Sequence, residues 1–275
     1  MMNSFSFDRF GKTLRWYLGV NARSLLMWMA GVSVGTFLIE LILCWNSREV
    51  IPMFFTAGLM ITYGICISTL FYGLNKKPKC EAFLMLPASH LEKFLTAVIY
   101  VTFICGIALF LSFVVGDSLR MVFRGLALGD DWGSATPKVV YNLIPKTMIH
   151  DESHVYSLSF RLMNLIVGYG FMLWFHSLYT LGGTFFRKYA FVAASVVLVL
   201  CLSLLSWVLN YFEISMFTSQ WDGDAYVSED VGVAAYVLAV VMPLLSIFNY
   251  WASFHIFKGF QLITNKWFNY DILKR

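Results

Sequence analysis

Apolar and polar positions fall along this chain in long blocks rather than alternating residue by residue. Near-continuous apolar runs occupy about 25–44, 52–74, 94–115, 159–181, 190–211 and 233–257. Each approaches the ~20 residues that an α-helix needs to cross a hydrocarbon core of about 30 Å. A spanning β-barrel would instead show segments of about ten residues with apolar and polar positions alternating. The pattern predicts an all-α integral membrane protein with six transmembrane helices, forming a single membrane domain over 1–275.

The polar blocks between these runs differ in kind. In residues 1–22, Phe7, Phe10, Leu14, Tyr17 and Leu18 share one helical face, while Asp8, Arg9, Lys12, Thr13 and Arg15 take the other. That periodicity predicts an amphipathic helix lying in the membrane interface. The block 116–157 mixes Asp117, Asp130, Asp131, Asp151 and Glu152 with Arg120, Arg124, Lys138 and Lys146, and short surface helices are expected there. The block 212–230 carries five carboxylates and no Lys or Arg. Pro243 inside the last run is expected to kink it.

Composition supports the membrane reading. Of 275 residues, 59% are hydrophobic and 13% charged, with mean hydropathy +0.69, against roughly a quarter charged in a soluble domain. The net charge of +4 follows topology, and nucleic acid is not an expected partner. With six spans, one side of the membrane receives 14 of the 20 Lys and Arg and the other receives 6, which predicts that both termini are cytoplasmic. The five cysteines, four within or beside apolar runs and Cys80 in a basic loop, form no CxxC and no metal-ligand spacing.

One polar block is more specific. Residues 75–94, NKKPKCEAFLMLPASHLEKF, carry Lys76, Lys77, Lys79 and Lys93 between the second and third apolar runs. Pro87 biases Leu86 away from helical geometry. Ser89-His90-Leu91-Glu92 is a capping-box pattern ahead of an apolar run. The expectation is a short helix ending near Leu86, a break, and a new helix opening at Ser89 that becomes the third span. Phe83, Leu84 and Met85 are expected to face the cytosol and to need a partner surface. An interfacial loop held in the headgroups by its lysines is the competing reading.

Other candidate chemistry is thinner. Gly31-xxx-Gly35 in the first run would let a neighbouring helix approach closely. Glu40, towards the outer end of that run, either lines a pathway, lies near the headgroups or is paired within the bundle. Arg161 is expected to snorkel. His150 and His154, at i and i+4, share a helix face and are a weak metal candidate, but Asp151 stands where a zinc protease places its glutamate. An interfacial metalloenzyme built on that pair is one alternative function. His176 and His255 read as packing residues, and Gly11-Lys12-Thr13 lacks the upstream glycine of a phosphate loop.

The run Leu86-Pro87-Ala88-Ser89-His90-Leu91-Glu92-Lys93, between the second and third of six spans, resembles a recurring Leu-Pro-x-Ser element in ABC transporter permeases of the type-two exporter class. The amphipathic start and the six-span, N-in, C-in layout look like that family as well. The resemblance implies that Cys80, Phe83, Leu84, Met85, Leu86, Pro87, Ala88, Ser89, His90, Glu92 and Lys93 form a coupling element. It would contact a separate nucleotide-binding ATPase subunit. It also implies a pair of permease subunits, identical or not, in a bacterial-type cytoplasmic (inner) membrane. No cofactor would be bound by this chain, since ATP and Mg belong to the partner, and this chain would not itself be an enzyme. The long 116–157 block and the aromatic tail depart from the family pattern. A non-transporting scaffold or sensor that binds a ligand or partner through its outer loops is the alternative from another class.

Overall fold

In the computed structural model, the described residues are 5–43, 51–69, 77–129, 133–143, 158–186, 188–222 and 225–259. The packing divides the chain into two compact units, 1–143 and 144–275. The first contains α1 (Phe7–Leu43), α2 (Ile51–Ser68), α3 (Lys77–Leu84), α4 (His90–Ile99), a π-helical stretch (Tyr100–Cys105), α5 (Gly106–Leu128) and α6 (Thr136–Leu143). The second contains α7 (Leu158–Phe185), α8 (Ala190–Tyr211), strands β1 (Phe217–Asp222) and β2 (Ala225–Val231), and α9 (Val233–Lys258).

Among the described residues, five helices are long and apolar enough to cross a membrane: Phe7–Ile42, His90–Ala127, Leu158–Phe185, Ala190–Tyr211 and Val233–Lys258. A shorter apolar helix covers Thr56–Ser68. The chain is a multi-pass helical membrane protein. Its exposed surface is that of a lipid-facing bundle: along α8, Val192, Val196, Val199, Leu200, Leu204 and Trp207 all point outward, where hydrocarbon is as good a neighbour as another side chain.

Three expectations about the elements change. The interfacial segment and the first span are one helix of 37 residues, about 55 Å long at 1.5 Å per residue. Nothing stops it between them, because Asn21 turns its amide back onto the Tyr17 carbonyl at 2.9 Å and stays within the helix. The third span likewise extends into the polar block 116–157, since α5 runs on to Leu128 and closes at Gly129 in the left-handed conformation (φ 62°), the usual way to finish a helix. The acidic block after α8 departs from an all-helical fold. It contains an antiparallel strand pair in which Phe217 faces Val231 and Asp222 faces Ala225.

In the first unit, α1 packs along α5. Ser33, Thr36 and Glu40, at i, i+3 and i+7, form the buried seam, and Ser33 Oγ donates to the Ser112 carbonyl at 2.9 Å. The close approach is made by Gly116, where a Cβ would stand 2.7 Å from the Ser33 carbonyl oxygen. Gly31 and Gly35, expected to be the packing pair, lie on another face of α1, and a Cβ at either would meet no atom within 4 Å. Phe113, Ala135 and Val139 form a small core with Leu59.

In the second unit, Trp174 and Leu178 of α7 pack on Leu238 and Met242 of α9. The helix α9 runs on through Pro243, whose ring lies against Gly170, where no side chain competes for the space. His176 is buried and lies 2.5 Å from the Tyr250 hydroxyl, and Ser177 accepts from Asn249 at 3.1 Å. Such buried polar pairs hold helices together where no water competes. His255 is exposed and stacks on Trp251.

Candidate functional site

The elbow between α2 and α4 is built by helix-end chemistry. The helix α3 ends at Leu84, two residues before the expected stop. The Met85 amide still reaches the Glu81 carbonyl at 2.9 Å, and Ala88 then closes on Leu86 at 2.8 Å. Ser89 is extended (φ −67°, ψ 158°) and caps α4. Both halves of the capping box are formed: Ser89 Oγ accepts from the Glu92 amide at 3.2 Å, and Glu92 Oε2 accepts from the Ser89 amide at 2.8 Å. The local pattern Ser-x-x-Glu therefore positions this break as the sequence predicts.

Glu92 does more than cap its own helix. Its Oε1 accepts from the Ser6 amide at 2.8 Å and from Arg9 Nη2 at 2.9 Å. Ser6 immediately precedes α1, so one fully buried carboxylate serves the N-termini of both α1 and α4. Unpaired amides and the positive end of the helix dipole favour an anion at each. The neighbouring Lys93, also buried, donates its Nζ to the Leu84 carbonyl at 2.7 Å and so caps the C-terminus of α3. Two adjacent, oppositely charged residues thus tie three helix ends together.

An aromatic contact completes the clamp. Phe83 is fully buried, its ring 5.8 Å from that of Tyr17 and 6.2 Å from that of Trp16 on α1. Tyr17 in turn meets Tyr100 in an edge-on contact at 5.0 Å. Fully burying a phenylalanine is worth about 2–3 kcal/mol. This corrects one expectation. Phe83 does not face the cytosol, because the apolar face of α1 covers it. Glu92 and Lys93 are also turned inward and are spent on internal bonds.

What the elbow presents outward is Met85, at 83% exposure, together with Pro87, His90 and the unforeseen Leu91. Leu84, Leu86, Ala88 and Ser89 are half-buried. The Cys80 side chain and the first residues of the block, Asn75 and Lys76, lie outside the described residues. Sequence reasoning also missed Ser6, Arg9, Trp16 and Tyr17 as partners of the elbow. The amphipathic pattern of α1 places Tyr17 on a face expected to rest in the membrane interface and Arg9 on the opposite polar face, whereas both turn to the elbow.

A second polar cluster joins the far end of α1 to α5 and the start of α6. Asp117 receives seven hydrogen-bond contacts. Arg120 donates to its Oδ1 from Nη2 (2.8 Å) and Nε (3.2 Å). Ser134 Oγ and Thr136 Oγ1 donate to Oδ2 at 2.6 Å each. The Ala135 amide reaches both oxygens, and the Thr136 amide reaches Oδ2 at 3.0 Å. This is the environment of an ionised carboxylate, placed at the N-terminus of α6 with Pro137 just inside the helix. Arg120 Nη2 also donates to the Gly133 carbonyl at 2.6 Å. Glu40 closes the group, its Oε2 2.8 Å from Arg120 Nε.

The described residues contain no group of three or more His, Cys, Asp or Glu arranged to hold a metal ion, and His150 and His154 lie outside them. Comparison with known proteins finds nothing similar: no family model matches, and neither a curated protein nor a solved structure does.

Proposed function

We propose that this chain is the permease subunit of an ATP-driven ABC exporter, with six spans and both termini in the cytoplasm of a bacterial-type inner membrane. The observation that carries the reading is the clamped elbow. Residues 83–93 are fixed to α1 and α4 by Phe83, Glu92 and Lys93, while Met85, Pro87, His90 and Leu91 are left outward. A large apolar side chain at 83% exposure on a rigid, kinked element is the form expected of a surface that receives a push from a partner. Movement at Met85 passes directly into α4, and through the Glu92–Arg9 pair into α1.

The nucleotide-binding subunit supplies ATP and Mg, and hydrolysis is its task. The present chain acts mechanically, paired with a second permease subunit that is identical to it or related. The Leu86-Pro87-Ala88-Ser89 break and its place between the second and third spans support the family reading. The test is a pull-down of the tagged full chain from its native membrane in mild detergent, read by mass spectrometry. A nucleotide-binding ATPase among the stoichiometric partners is the expected result. A stoichiometric partner set without one transfers the assignment to the scaffold or sensor reading.

A further inference from the structure

Among the described residues of the first unit, Glu40 stands apart from the other buried charged groups. It is fully buried, and neither of its carboxyl oxygens accepts a hydrogen bond among the described residues. Arg120 Nε stands 2.8 Å from Oε2 as an ion-pair contact, and the same guanidinium is shared with Asp117, to which it donates twice, and with the Gly133 carbonyl. Arg120 and Asp117 already neutralise each other, so an ionised Glu40 would add an uncompensated negative charge to a buried site. The cost of that is several kcal/mol. Its position adds to the cost, because the last turn of α1 is the negative end of that helix dipole.

We propose that Glu40 is a proton-binding site, its carboxyl group carrying a proton that it exchanges with water. The facing groups agree. From α5 come Asp117 and Arg120, with Arg124 a turn further on. Among the described residues, the start of α6 contributes the hydroxyls and amides of residues 134–136. The helix α2 has no charged side chain between 56 and 68. On proton release, the Oε–H bond breaks, its electron pair stays on Glu40 and the proton passes to water. The new anion then competes with Asp117 for the guanidinium, which has only to re-aim its Nε–H. The site thereby couples proton occupancy to the seam between α1 and α5, and it is independent of the elbow's proposed role.

The test is the infrared spectrum of the full chain reconstituted in lipid vesicles at neutral pH, in water and in deuterium oxide. The expected result is a C=O stretch of a protonated carboxylic acid that shifts on deuteration and is lost in Glu40→Gln. No such band in the wild-type chain, or the same band retained in Glu40→Gln, would overturn the proposal. Should Glu40→Gln fail to fold, Glu40→Asp decides: a band displaced from the wild-type position supports the site, and an unmoved band refutes it.

Discussion

Glu92 and Glu40 are both fully buried, one held against the first turn of α1 and the other standing on its last. Glu92 lies where two helix N-termini converge, and it receives backbone amides from both as well as the Arg9 guanidinium. Glu40 lies at a helix C-terminus beside a guanidinium already engaged by Asp117. The same side chain is therefore an anionic fastener at one end of the helix and, by our proposal, a proton carrier at the other. Helix polarity and the direction of the neighbouring donors decide between these roles, since burial is equal.

The strongest way to break this contrast is at Asp117. Asp117→Ala removes the partner of a buried guanidinium and leaves the start of α6 uncapped. Loss of one member of such a pair costs about 3–5 kcal/mol, and Glu40 can take over part of the guanidinium's charge. We therefore expect about 3 kcal/mol, measured by thermal unfolding in detergent. At the other end, Glu92→Gln keeps the shape of the side chain but loses its charge, and should cost about 2 kcal/mol, as hydrogen bonds to charged groups do. It should also make the chain before α1 easier to cleave by limited proteolysis. A cost near zero would place Glu92 in the same class as Glu40. Ser89→Ala removes only the serine half of the capping box. It should cost about 1 kcal/mol without exposing the residues before α1.

These two ends also differ in how legible they were. The capping box was readable because it is a local rule: four consecutive residues contain both halves of it. The burial of Phe83 was not, because the face of α3 that is covered depends on Trp16 and Tyr17, more than sixty residues earlier in the chain. The Gly31-xxx-Gly35 spacing pointed to a close helix approach that these two glycines do not make among the described residues. The seam was set instead by Ser33, Thr36 and Glu40, and the glycine that mattered was Gly116 on the opposing helix. Asp117 and Arg120 could be seen as an i, i+3 pair, but the meeting of Asp117 with residues 134–136 is tertiary. The strand pair does carry a local signal in the sequence. Gly223-Asp224, the two residues between Asp222 and its partner Ala225, separates two short runs rich in aromatic and β-branched residues, and Gly-Asp at that spacing is a recognised hairpin cue.

Continuity of the long helices was the other gap. Hydropathy marks where lipid can begin but not where a helix ends, so α1 and α5 ran on past the expected boundaries into polar sequence. That continuity places the elbow clamp at Arg9 and the Glu40 cluster on opposite ends of one helix.

The central claim is that the outward side of the elbow binds a nucleotide-binding subunit, and Met85 offers the most direct measurement. Met85→Asp changes a side chain that is 83% exposed and should leave the fold and thermal stability of the chain as they are. Burial of a methionine at an interface is worth about 1.5–3 kcal/mol, and about 1.4 kcal/mol is a tenfold change in affinity. The account predicts that quantitative pull-down from the native membrane recovers a nucleotide-binding ATPase with the wild-type chain and about tenfold less with Met85→Asp. Equal recovery of the ATPase with both chains would contradict it.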